Sequence, residues 1–122
     1  MPFHHPASLS RAETIARLND RARLGLDRTS KTMFSRACLA TFCDGEARSA
    51  LVAQAELLDA MRQHRFTDDA HRERDFGEMV FRNHRVWFKI DYYDPGLDFG
   101  SEDPADANQT VRVITIMLPE DY

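Results

Sequence analysis

Between Asp75 and Tyr93 apolar and polar residues alternate through two runs on either side of Asn83-His84, a pattern that predicts a β-hairpin. With Asn83-His84 as the turn, Phe81 faces Val86, Met79 faces Phe88 and Gly77 faces Ile90 on one side. Glu78 then faces Lys89 and Val80 faces Trp87 on the other. A slip of one residue would carry Glu78 and Lys89 in among the apolar side chains, so the alternation selects the buried face. A second alternating run, Thr110 to Leu118, places Val111, Val113 and Met117 on one face and Ile114, Ile116 and Leu118 on the other. Apolar residues on both sides are expected of a central strand, and Pro119 ends it.

Two segments have helical spacing. Ser10 and Glu13 stand at the positions of a capping box, and Ile15, Leu18, Ala22 and Leu26 follow as one apolar stripe, with Gly25 as the stop. The arginines along this helix read as a solvated edge, since no aromatics are interleaved among them to stack on bases. After Asp44-Gly45 a longer helix is expected from about Glu46 to His64, with Ala47, Leu51, Ala55, Leu58 and Met61 as its stripe. Residues 31–43 suit a strand or a helical turn, with a short strand near Thr32 to Arg36 expected. The polar stretch 66–74 reads as a loop. Together these elements predict an α+β fold, a three- to four-stranded mostly antiparallel sheet with two helices packed on one face. Residues 1–9 are expected to form a flexible N-terminal arm and 10–122 a single domain.

The length of 122 residues suffices for one core without staples. No apolar run approaches the roughly 18 residues of a membrane span, and the first residues lack a signal-peptide pattern, so the cytoplasm is the expected compartment. Cys38 and Cys43 have no metal or redox spacing and fit buried thiols. The net charge of −4 is unevenly spread: from Asp91 to Tyr122 eight acids stand against Arg112 alone, a net −7, which leaves +3 for residues 1–90. Such a tract repels phosphate backbones and attracts basic partners.

Asp75-Phe76-Gly77, Trp87 with Lys89 to Asp94, Gly100 to Asp106, and Arg112-Val113 with Thr115 to Leu118 resemble a family of small bacterial proteins, domain of unknown function family 3768. Its members are often carried on plasmids, prophages and other mobile elements. The resemblance runs over roughly residues 10–122 and brings no established activity. In the family pattern Gly-Glu-His precedes Asp-Phe-Gly, whereas here Arg72-Glu73-Arg74 occupies those positions, so a catalytic role for that histidine does not carry over.

Of the motifs that carry chemistry, Asp-Phe-Gly stands without the glycine-rich and catalytic loops of a kinase. Glu73, Asp75, Asp91 and Asp94 could gather at the hairpin end to hold Mg²⁺ or Mn²⁺ for phosphodiester hydrolysis. Cys38, Cys43, His64 and His71 are too irregularly spaced to predict a zinc site, and His4-His5 lacks further ligands nearby. No catalytic residue, metal or cofactor is therefore expected.

The long connection from Asp94 to Gln109 is the recognition candidate, because a structureless loop of this length is unusual in so small a domain. Asp91, Asp94, Asp98, Phe99, Glu102, Asp103 and Asp106 form the expected partner-binding set. The expected function is a non-enzymatic acidic binding protein for a partner with a basic surface. The mobile-element setting implied by the resemblance suggests a host nucleic-acid-binding defence complex, hence an inhibitor of the anti-CRISPR or anti-restriction type. The alternatives are a metal-dependent hydrolase and an accessory subunit of another assembly. Neither direct nucleic-acid binding nor a membrane association is expected of this monomer or homodimer.

Overall fold

The hairpin joins strands β2 (Phe76–Phe81) and β3 (His84–Tyr93). The computed structural model describes residues 9–67 and 72–122; residues 1–8 of the expected arm, with His4 and His5, and residues 68–71, with His71, lie outside them. The turn residues are Arg82 and Asn83, at φ of 49° and 66°, the doubly left-handed form that matches strand twist. Met79 accordingly pairs with Val86 and Gly77 with Phe88, a register two residues from the expected one. Because side chains alternate with a period of two, the faces are unchanged: Met79, Phe81, Val86, Phe88 and Ile90 are buried, and Glu78 and Val80 are exposed. Arg82 tolerates the unfavourable φ while its guanidinium reaches Glu56 (2.7 Å) and the Phe42 carbonyl (3.2 Å).

β4 (Val111–Met117) is antiparallel to β3, and β1 (Lys31–Phe34) is parallel to β4, giving the order β1-β4-β3-β2 in a mixed, mostly antiparallel sheet. β4 is central, as its two-sided pattern predicts. The segment after β1 is a third helix, α2 (Arg36–Phe42), where the expectation was a strand reaching Arg36. Ser35 ends the strand by accepting the Cys38 amide as N-cap, and Cys38 and Phe42 point into the core.

α1 (Arg11–Arg23) is capped as expected by Ser10, which accepts the Glu13 amide at 3.1 Å. It ends in a Schellman motif: Leu26 N–H reaches the Arg21 carbonyl and Gly25 N–H that of Ala22, with Gly25 at φ 79°. Its buried stripe is Ile15, Asn19, Ala22 and Arg23, while Leu26 is exposed. α3 (Ala47–Gln63) likewise turns a different side inward, burying Ala53, Leu57 and Met61 and leaving Leu51 68% exposed. Its apolar residues run nearly all the way round, so contact with the sheet selects the face. Arg23 donates to the Met61 and Arg62 carbonyls, placing a cation on the C-terminal end of α3 and locking the two helices together. α1, α2 and α3 all lie on the sheet face formed by Phe88, Ile90, Ile114 and Ile116, which is the core.

Candidate functional site

The connection between β3 and β4 is held by its own polar side chains. Tyr93, the last residue of β3, and Gly100 form an isolated antiparallel bridge. Beyond it Asp94 N–H donates to the Phe99 carbonyl (2.8 Å), and the Asp94 carboxylate accepts the amides of Asp98 (3.0 Å) and Phe99 (3.4 Å). Leu97 sits inside this tight turn at φ 61°. Further on, Ser101 Oγ bonds Thr110 Oγ1 (2.7 Å), and Asp106 caps a 3-10 turn over Ala107–Gln109 by accepting the Asn108 amide (2.9 Å). Short acidic side chains favour such turns because they bond to backbone amides one or two residues ahead.

The expected partner-binding set divides in space. Asp94, Phe99 and Glu102 line one recess of about 290 Å³, and Asp98 lies beside them on the turn. Phe99 is 75% exposed, and the carboxylates of Asp98 and Glu102 have no hydrogen-bond or ion-pair partner among the described residues. Asp103 instead pairs with Arg11 of α1, and this guanidinium holds its carboxyl below the usual range. Asp106 closes its own turn and the side chain of Gln109 (2.8 Å). Asp91 projects from the sheet face opposite the helices and is paired with Lys89 at 2.9 Å.

Glu73 and Asp91 are not brought together. Glu73 accepts the Tyr92 hydroxyl (2.8 Å), and Tyr92 and Asp91, as neighbours in a strand, face opposite sides of the sheet. Among the described residues no three His, Cys, Asp or Glu side chains are grouped to hold a metal. Cys38 is buried in the core, and the ring of His64 packs edge-on against Phe66 and Phe88; burial, then Arg23, lowers its pKa.

One polar cluster was missed by sequence reasoning. Arg112 is 1% exposed and donates from Nε to Asn19 Oδ1 (2.6 Å) and from Nη2 to the Pro104 carbonyl. Its guanidinium lies 5.1 Å from the Tyr92 ring centroid. Asn19 Nδ2 in turn donates to the Tyr92 hydroxyl (2.8 Å) and the Glu73 carbonyl (2.9 Å). Burial pushes the Arg112 pKa down and the Tyr92 pKa up. The cluster ties the acidic loop, through Pro104, to α1 and the strand core. Its signal in the sequence is Arg112 standing in phase with Ile114 and Ile116, and Asn19 in phase with Ile15 and Ala22.

Arg74 forms a two-pronged ion pair with Asp20 of α1, with contacts of 2.8 to 3.2 Å. Arg72 has a φ of 60°, a backbone state that glycine adopts without penalty. Among known families, the proteins of unknown function DUF3768 match residues 44–121. No curated protein and no solved structure matches the chain significantly.

Proposed function

From the premise that the chain belongs to the DUF3768 family of proteins of unknown function, we propose that it is a non-enzymatic binding protein whose β3–β4 loop meets a basic surface on a larger protein. The observation that carries this reading is the tip of the loop: an exposed Phe99 flanked by the carboxylates of Asp98 and Glu102, which have no partner among the described residues. An aromatic anchor inside a charged rim is a common composition for a protein interface. The loop is held in place before any partner arrives, which reduces the ordering entropy lost on binding. The net −7 of residues 91–122 adds long-range attraction for a cationic surface and repulsion of nucleic acid.

The partner class that fits this surface, together with the mobile-element setting the family resemblance implies, is a nucleic-acid-binding host-defence complex. Occupying its DNA-binding groove, by contact or by mimicry of DNA charge, would make the protein an inhibitor of the anti-CRISPR or anti-restriction type. The test is phage plating on strains that carry individual CRISPR or restriction systems, with and without this protein. Restored plating against at least one system is expected, together with loss of that effect in an Asp98→Lys, Glu102→Lys double variant that still folds. No restoration in any system contradicts the inhibitor reading, and full activity of the double variant contradicts the role of the loop.

A further inference from the structure

Among the described residues no α-helix covers the sheet face opposite the core. On it Met33, Val113 and Thr115 floor a groove of about 690 Å³, with Leu97 of the acidic loop at one end and Tyr122 and the nearly covered Met117 at the other. That volume is within the range of sites that bury a ligand of several hundred daltons. β4, which runs along the groove, has seven residues, so its length is about 20 Å, the span of an extended segment of about six residues. Between Val113 and Met117 the floor carries the hydroxyl of Thr115, and beside it the Lys89–Asp91 pair, in which the two charges offset each other. Asp121 lines the far end, where it accepts the Ser35 hydroxyl (2.6 Å) and the Leu118 amide (2.9 Å). At the near end Leu97 stands between Asp94 and Asp98 in the chain, so the groove opens directly onto the acidic tip. Around the groove Asp91, Asp121 and, past Leu97, Asp94 and Asp98 outnumber Lys89 and Lys31, and a second copy of this chain would bring the same sign of charge to it.

We propose that this groove receives an extended cationic segment of the partner protein. One apolar side chain lies over Met33 and Val113, and lysine or arginine side chains beyond Leu97 reach Asp94 and Asp98. The inference rests on the reading of the loop as the basic-partner surface, and adds that recognition needs an apolar anchor as well as charge.

The probes are blocked hexapeptides, Lys-Lys-Gly-Leu-Gly-Phe and its reverse, with counterparts in which Leu and Phe become Gly or both Lys become Glu. Each is titrated into the ¹⁵N-labelled full chain and followed by amide chemical shifts. Burying one aliphatic side chain strengthens binding by about a factor of ten or more. The apolar cationic probes should therefore bind at least tenfold more tightly than their glycine counterparts. Shifts should appear at Met33, Val113 and Met117, and the gain should vanish in Met33→Glu and in Leu97→Ser. Both positions are about half exposed, so neither change empties the core. Equal binding of the glycine counterparts, with shifts confined to 94–106, overturns the groove while leaving the loop reading intact. No binding of any cationic probe overturns both. Equal binding of the glutamate probes overturns the charge requirement and with it the proposal. A dimer in sedimentation that Met33→Glu dissociates, with no peptide uptake, assigns the groove to a second copy and also overturns it.

Discussion

Arg112 shows how a single side chain can serve the surface from inside. It is fully buried, and two of its donors bind Asn19 and the carbonyl of Pro104 in the acidic loop. Methionine at this position would fill similar space but leave both acceptors without a donor. Two unpaired buried acceptors at about 1 to 3 kcal/mol each, together with the lost contact to the Tyr92 ring, oppose the relief from no longer burying a cation. Arg112→Met should therefore lower unfolding stability by about 2 kcal/mol or more in urea titrations; a loss below about 0.5 kcal/mol would contradict this account of the cluster. Cys38 is a second buried residue with a measurable consequence. Burial, with Asp121 and Cys43 adding to it, pushes its thiol from 9.0 up to about 11. Between these values the unfolded chain has lost the proton while the folded chain keeps it. Stability should thus fall as pH rises from 9 to 11, by about 2 kcal/mol from this group. Cys38→Ala should flatten that part of the stability profile relative to the unaltered chain, and an identical alkaline slope in both would count against the burial effect.

At the scale of elements, the hairpin and the last strand were legible because their information is local: alternation over six to ten residues names the buried face even when the turn is placed one residue away and the register shifts by two. The stripe of α3 was not legible, since apolar residues occupy both the 47-51-55 row and the 50-53-57 row, and only packing against the sheet decides between them. The buried Asn19 and Arg112 were hidden for a related reason. A polar residue in phase with a core stripe reads as an interruption until its partner on a distant element is known. The Asp-Phe-Gly segment has a steric explanation at this scale. Phe76 packs edge-on against Trp87 at 5.1 Å on the open face, and Gly77 leaves room for the Phe88 ring. A Cβ on residue 77 would lie 2.3 Å from Phe88 Cε2 and 2.9 Å from His64 Nε2, so Gly77→Ala must displace a buried ring. The expected loss is about 1 to 3 kcal/mol, read from thermal or urea unfolding, whereas a neutral substitution would contradict the packing described.

For the whole molecule, the fold separates two tasks. Three helices close one face of the sheet into the core, while the β3–β4 loop and the open face stay available at one side of it. Of the seven residues expected to meet a partner, four converge at the loop tip, one lies in the open groove, and two are tied into the fold as an ion pair with Arg11 and as a turn cap. The sequence revealed the acidic tract but not this division, because charge counting cannot tell a carboxylate engaged by a backbone amide from one facing water. No helix among the described residues is long and apolar enough to cross a membrane. The measurement that tests the central claim most directly compares the affinity of the unaltered chain and of the Asp98→Lys, Glu102→Lys variant for a defence complex identified by plating, at low and physiological salt. Electrostatic recognition at the loop tip predicts at least a hundredfold loss in the variant, and weakening of the unaltered chain as salt rises, with unfolding stability unchanged. Equal affinity of the two proteins at both salt concentrations would contradict it.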